Sequence, residues 1–356
     1  MTDITIAAKT QSAASGKPAA NFINDTQLPA VLRPLAPDRR GPADAAALLR
    51  MPETRALMAR HGALLLRGFA LTGEEDFAQF VTLHYGKSGG DYRGGLSPRV
   101  TVREGLVYES TILAARLRIH QHNEMAYLPR PPRDLIFFCE RPSPVGGATP
   151  LTDCRRLLAD IPLEIRDTLA KRGLRYCNHF YGRLWSPGNR VVNWFTKLHR
   201  SWRDAFDTRR KADVTERCRV LGVKLAWMWD GSARTTRQSP ATTRHPVTGE
   251  EVWFNQAHTQ LITPRVYGWG KFLGYHLIYP IRRYRPFDAT FGDGSRLPRR
   301  YLTSILDALD RNTVTFDWQP GDLLWVDNFL CAHGRMPYQG PRRILVAIGS
   351  PTDRDI

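Results

Sequence analysis

The sequence predicts a mainly β protein with added helices, a β-barrel or jelly roll carrying helical insertions. Three observations point there. Apolar strand-like runs stand toward both ends of the chain, GALLLRGF at 62–69 and the stretches Asp322–Asp327 and Arg342–Gly349. Segments with helical period lie between and outside them. The regular strand–helix alternation that builds a parallel sheet is missing. With 356 residues, 42% of them hydrophobic, the chain can bury a sizeable core.

Taken in order, residues 1–21 are rich in Ala, Ser, Thr and Lys and read as a flexible N-terminal tail, with a single domain over 22–356. Met51–His61 predicts a helix, with Pro52 near its start and Gly62 past its end. Gly62–Phe69 follows as a buried strand. Thr72 and Glu75 have capping-box spacing. Phe77, Phe80, Val81 and His84 recur at helical period, which puts His84 in the core or at its boundary. Arg133–Glu140 reads as a strand and Ile161–Arg172 as a helix opened by Pro162 and closed by Gly173. Residues 180–240 read as short helical stretches rich in Arg, Trp and Lys. His245–Asn255 reads as a hairpin turning at Thr248–Gly249, and 255–300 as a candidate lid insertion. Pro298–Asp310 is a helix, followed by the two C-terminal strands.

Composition narrows the function classes. No stretch approaches the roughly 20 apolar residues of a membrane helix, and the N-terminus has no secretory h-region. Five cysteines without CxxC spacing suggest reduced thiols in a cytoplasmic protein and no zinc site. The net charge of +17, from 51 basic and 34 acidic residues, favours an acidic partner or an anionic small molecule. The arginines are spread along the chain without a basic block or a nucleic-acid-binding motif, so nucleic acid is not expected as a partner.

The chemistry gathers at Arg118-Ile119-His120-Gln121-His122-Asn123-Glu124. On a strand, side chains two apart share a face, so His122 and Glu124 can chelate one metal. The distant His333 can close the site as two histidines and one carboxylate, a facial triad with open positions suited to non-haem Fe(II). The H-x-[DE] pattern by itself is weak, since roughly one is expected by chance in such a chain. His120 is read as structural and Arg118 as a surface ion pair or an anion contact. Gly146-Gly147-Ala148-Thr149 allows a tight turn followed by a hydroxyl for a carboxylate. Arg343, ten residues after His333 on an apolar strand, needs an anion if buried, and a dicarboxylate is a good one. Arg342 would then face the opposite side, toward solvent.

These segments, together with CERPSPVGGATPLTD, HPVTGEEVWFNQ, WQPGDLLWVDN and HGRMPYQGPRRILVAIG, resemble the TauD/TfdA superfamily of Fe(II)/2-oxoglutarate-dependent dioxygenases. The resemblance runs from about Leu28 to Gly349. It is strongest to the branch with clavaminate synthase, the free-arginine β-hydroxylases and the SyrP-type aspartyl hydroxylases. It implies a double-stranded β-helix (jelly roll, cupin-like) core with flanking helices. It implies iron on His122, Glu124 and His333, and 2-oxoglutarate as cosubstrate held by Arg343 with Thr149 assisting. O2 is the oxidant, and succinate and CO2 are released. A second arginine found in some relatives is absent, with Ala347 in its place. Related halogenases lack the carboxylate ligand; Glu124 argues against halogenation here.

For the substrate side, Arg118, Asn123, Met125, Tyr127, Asn255, His258 and Arg335 are candidates, Arg335 first among them. The expected activity is hydroxylation of an unactivated C–H bond in an amino-acid-like substrate of specialised metabolism, free or tethered to an acidic carrier protein. The alternatives are a desaturase or cyclase acting on a small sulfonate or phosphonate, and a non-catalytic metal-binding barrel. Membrane association is not expected.

Overall fold

The computed structural model describes residues 17–86, 101–103, 107–110, 114–182 and 199–351. Most of the stretch read as a tail lies outside these residues; Asn21, at its end, already pairs in a strand against Val31. The chain forms two compact units.

The first unit comprises Met1–Gln121, Pro132–Asp153 and Thr313–Thr352. Its described residues contain an eight-stranded sheet in the order Asn21–Phe22, Ala30–Leu32, Ala63–Leu66, Leu323–Asp327, Asp134–Arg141, Arg343–Ile348, Val107–Glu109, Thr101–Arg103. Ala30–Leu32 pairs parallel with Ala63–Leu66, and the central pairings are antiparallel. The apolar runs are continuous because both faces of this sheet are buried. Leu64, Ile136, Phe138, Trp325, Leu345 and Ala347 face one apolar cluster, which Phe77, Phe80 and Val81 of the helix Glu74–Tyr85 complete. Leu65, Phe137, Cys139, Leu324, Ile344 and Val346 face another. Phe138 and Leu64 have no exposed surface; burying each contributes about 2 kcal/mol.

Smaller sheets complete this unit. Ile119–His122, Cys331–Arg335 and Leu151–Asp153 form three strands with Cys331–Arg335 in the middle, and Val145–Gly146 pairs with Tyr338–Gln339. Around the sheets, the expected helix at 51–61 is Pro52–His61, ended by Gly62. The cap near Thr72 differs from expectation. Gly73 is the N-cap, so the third helical residue is Asp76, and it accepts both the Thr72 N–H and its hydroxyl at 2.8 and 2.9 Å. His84 lies at the core boundary, parallel to Phe80 and edge-on to Trp325. Burial lowers its pKa to about 4.

The second unit comprises His122–Pro131, Cys154–Asn312 and Asp353–Ile356. Its helices Leu163–Arg172 and Arg299–Arg311 stand where the sequence places them. The hairpin Thr242–Arg244 with Glu251–Trp253 is closed by His245 Nδ1, which accepts the Thr248 N–H at 2.9 Å. The expectation of helices alone over 180–240 is corrected. Besides Trp202–Phe206 and Lys211–Val220, two strands lie there, Lys224–Trp227 and Ala233–Ser239; residues 183–198 lie outside the described ones. They join Leu174–Phe180 and Phe287–Phe291 in a four-stranded antiparallel sheet. The strand ARTTRQS alternates, but its inward residues include Thr235 and Ser239, so polarity hides the period-2 signal. The candidate lid 255–300 holds the helices Pro264–Tyr267 and Trp269–Ile278 and the strand Phe287–Phe291, and it ends at the start of the helix Arg299–Arg311.

A buried polar chain runs through this unit. Ser232 Oγ donates to Asp230 Oδ1 and lies 3.0 Å from His179 Nε2. His179 Nδ1 is 2.9 Å from His199 Nε2, and His199 Nδ1 is 2.7 Å from the Tyr279 hydroxyl. Burial depresses His179 to about 4 and His199, also facing His179, to about 3. Unfolded imidazoles titrate near 6.5, so between there and the folded values the unfolded chain binds more protons. The contribution is present above pH 6.5 and is lost as pH falls. We expect each imidazole to remove on the order of 1–2 kcal/mol by pH 5, read as a falling melting temperature between pH 7 and pH 5. A melting temperature that stays flat across that range contradicts it.

Candidate metal centre

The three-stranded sheet positions the donor groups. His122 ends the strand Ile119–His122, and His333 is central in the neighbouring Cys331–Arg335. These strands approach closely because residue 334 is glycine: a Cβ there would stand 2.4 Å from the Ile119 carbonyl oxygen. On the Cys331–Arg335 strand, the His333 ring packs at 5.1 Å against Phe137, on the sheet face that also carries Cys139, Ile344 and Val346.

Glu124 arrives by a different route from the one alternation predicts. The strand stops at His122, and the chain turns, with Met125 at φ 52° and the Leu128 N–H donating to the Met125 carbonyl. The turn is anchored by Asn123, fully buried, whose Nδ2 donates to Cys154 Sγ at 3.2 Å. The turn still brings Glu124 beside the histidines. One donor atom from each of His122, Glu124 and His333 lies within 4.8 Å of the other two. Glu124 and His333 are buried, and His122 is half-buried. Three donors on one face of an octahedron, each about 2.1 Å from the ion, lie about 3 Å apart, so the side chains draw together by up to about 2 Å to form a coordination shell. Two imidazoles and one carboxylate fit divalent iron with coordination positions left open. His120, buried on the same strand, is not part of the cluster.

The expected cosubstrate residues have these surroundings. Thr149 is buried, and its hydroxyl accepts the Trp318 indole N–H at 3.1 Å. The preceding glycines do make a tight turn: Gly146 has φ 69°, and a Cβ on it would meet the Pro337 carbonyl oxygen at 2.4 Å. The orientation expected of the two arginines is reversed. Arg343 donates to both carboxylate oxygens of Glu140, at 2.7 and 2.6 Å, and to Glu74 at 2.8 Å. These hydrogen bonds, that to Glu140 first, hold its pKa above the usual arginine value. Arg342 does not extend to solvent; its Nε donates to the Gly147 carbonyl at 3.1 Å. Alternation along the strand separates them, Arg342 keeping step with Ile344 and Val346 and Arg343 with Leu345 and Ala347; the register shift lies on the partner strand, where Glu140 is the extra residue.

Of the substrate candidates, Arg335 is buried and donates to the Ala114 and Leu117 carbonyls at 2.7 and 2.8 Å. Arg118 reaches Gln121 Oε1 at 3.4 Å. Asn255, fully buried, donates to the Ala241 carbonyl and accepts the Ala257 N–H. His258 is buried in the same turn. Tyr127 stands edge-on to Tyr176.

Known proteins resemble this chain along most of its length. The profile of the family described as "Taurine catabolism dioxygenase TauD, TfdA family" matches residues 32–348. The chain is 32% identical over 299 residues to the dapdiamide synthesis protein DdaC of Enterobacter agglomerans, covering 83% of this chain and 84% of that one. It is 31% identical over 297 residues to a clavaminate synthase-like protein of Arabidopsis thaliana, covering 82% of each. PvcB of Pseudomonas aeruginosa shares the fold, with a TM-score of 0.52 at 16% identity over 96% of this chain and 94% of that one. Among the described residues no helix is long and apolar enough to cross a membrane. The chain belongs to the TauD/TfdA family, and it is a dioxygenase that uses Fe(II), 2-oxoglutarate and O2.

Proposed function

We propose that this enzyme hydroxylates an unactivated C–H bond of an amino-acid-like small molecule in a biosynthetic pathway, with His122, Glu124 and His333 holding the iron. The observation that carries the reading is the convergence of those three donor groups in a chain whose relative serves dapdiamide synthesis. The bound metal would supply oxidative decarboxylation of 2-oxoglutarate coupled to oxidation of the substrate. The protein's own residues supply placement. Gly334 lets the two histidine-bearing strands close, the Asn123 turn delivers the carboxylate, and Phe137 backs the His333 ring. We further propose that the sheets of the first unit form a double-stranded β-helix and that the enzyme is cytoplasmic. All five cysteines are buried and none is in a disulfide, which suits that compartment.

A carrier-tethered substrate is favoured by one surface feature. From residue 252 to residue 287 the chain has no Asp or Glu and contains Arg265, Lys271, Arg282, Arg283 and Arg285. Within that stretch Trp269, Leu273 and Leu277, four residues apart along one helix, are exposed. Arg265 and Arg282 are themselves paired with aspartates, and the exposed apolar row, in a stretch that also carries Arg283 and Arg285, fits an acidic protein that carries the substrate.

The test is anaerobic. Adding Fe(II) and 2-oxoglutarate to the protein should produce the weak visible charge-transfer band of a 2-oxo acid chelated to iron with open positions. Candidate amino acids, free or loaded on an acidic carrier domain, are then screened for a shift of that band. A carrier-dependent shift that fades with added salt supports tethering, and a full shift with the free amino acid removes it. If the protein binds iron and shows no band, the oxygenase reading fails.

A further inference from the structure

The helix Trp269–Ile278 is mostly apolar in sequence, yet none of its residues is fully buried. Its outer side leaves Trp269, Leu273 and Leu277 exposed. With so little apolar surface withdrawn from water, packing alone holds it weakly. Polar contacts must fasten it. Before the helix, Arg265 reaches Asp307 and Asp310 at 2.6 and 2.7 Å, but these pairs lie at the surface, where ion pairs contribute little. Within it, the Tyr275 hydroxyl donates to the Phe287 carbonyl at 3.2 Å. At its C-terminal end stands Tyr279, 3% exposed, with its hydroxyl 2.7 Å from His199 Nδ1.

Whether Tyr279 can donate there depends on the far end of the buried chain. Asp230 Oδ1 accepts the Ser232 N–H at 3.0 Å and the Ser232 hydroxyl at 2.5 Å. A carboxylate is a stronger acceptor than a neutral imidazole, so the one hydroxyl hydrogen of Ser232 points to Asp230. Ser232 Oγ is then left to accept from His179 Nε2. A neutral imidazole carries a single N–H, and burial keeps both imidazoles neutral at neutral pH. His179 Nδ1 is therefore bare and accepts from His199 Nε2. His199 Nδ1 is bare in turn and accepts the Tyr279 hydroxyl. Every bond runs the same way, from Tyr279 to Asp230. The opposite direction would set a His199 N–H against the phenol oxygen and leave the phenol hydrogen without this acceptor. Tyr284 and Tyr181 stand edge-on to His179 and His199 and brace the two rings. Asp230 itself follows Trp229, which is 83% exposed, so the chain leads from a surface turn to the end of the helix.

We propose that Asp230 and Ser232 are positioning residues: by fixing the tautomers of His179 and His199 they hold Tyr279, and with it the C-terminal end of the helix Trp269–Ile278, so that the exposed row Trp269, Leu273 and Leu277 is presented preformed to a docking partner. A surface that is already ordered loses less freedom on binding. The purpose rests on the carrier-docking reading above. The latch itself does not, and its test needs neither carrier nor substrate.

The test uses the full-length protein loaded with Zn(II), a diamagnetic stand-in for iron. Nitrogen-15 NMR of the histidine rings reads the tautomers, and amide hydrogen exchange reads the helix. In the wild type His179 and His199 should both carry the hydrogen on Nε2. Tyr279→Phe should speed exchange across 269–279 by about tenfold, the scale of one buried hydrogen bond, and leave both tautomers unchanged. Ser232→Ala should speed the same amides and also mix the tautomers, while the strand Leu174–Phe180 keeps its protection. Ser232→Thr, which retains the hydroxyl, should restore both readouts. A wild-type histidine of the pair protonated on Nδ1 instead, or unchanged helix exchange in either Tyr279→Phe or Ser232→Ala, overturns the inference. If Ser232→Ala does not fold, the wild-type tautomers and Tyr279→Phe decide. Because no carrier is present, a failed latch leaves the carrier reading standing, and a failed carrier screen leaves the latch.

Discussion

His333→Ala should lower Fe(II) affinity by at least about 100-fold while the protein remains folded. The size follows from the donor count: three donors within 4.8 Å of one another become two, and the cluster loses the group fixed most firmly by packing. His333 is central in a buried strand and backed by Phe137, whereas Glu124 depends on a turn. Removing the imidazole leaves a small void beside Phe137, with an expected stability loss of about 1–2 kcal/mol. That is modest against the effect on the metal. Equilibrium dialysis with Co(II) as an air-stable stand-in, beside a melting curve, separates the two effects. Stoichiometric, tight metal binding by a folded His333→Ala protein would remove His333 from the site.

Gly334→Ala should be damaging although it adds one methyl group and touches no ligand. The new Cβ would stand 2.4 Å from the Ile119 carbonyl oxygen and 3.1 Å from the Gln121 nitrogen, both backbone atoms that no rotamer change can move. The strands carrying His122 and His333 must separate. We expect a stability loss of about 2–4 kcal/mol and weakened metal binding, because the donor atoms move apart. Gly270→Ala is the control: nothing lies within 4 Å of its added Cβ, and its φ is unstrained. A helical alanine there should be neutral or slightly stabilising. Equal melting temperatures and equal metal affinity for Gly334→Ala and Gly270→Ala would refute the close-approach argument.

The strands of the large sheet were legible because burial on both faces leaves uninterrupted apolar runs, as in Ala63–Leu66 and Asp134–Arg141. The helices were legible from their ends: Pro52 and Gly62, Pro162 and Gly173. The four-stranded sheet was not, because Ala233–Ser239 buries threonine and serine among its inward residues, and a polar alternating strand looks like loop. The buried chain from Asp230 to Tyr279 was equally hidden, since beyond the Asp230–Ser232 link its bonded partners are 20 to 80 positions apart in the chain.

The metal candidates mark the boundary most sharply. The H-x-[DE] pattern was weak by itself, and the resemblance of the surrounding motifs to one family singled out His122, Glu124 and His333. The reason offered for their meeting needed correction, since a turn and not strand alternation delivers Glu124. Alternation alone sets Arg342 with Ile344 and Val346 and Arg343 with Leu345 and Ala347, but which of the two faces meets the acidic helix and which the Gly147 loop is not written in the local sequence. The sequence by itself therefore determined the class of protein and named the candidate donor groups, which depend on chemical type. Only the tertiary structure decided orientation and partners, because those depend on what packs against each face of a strand, which no local pattern records.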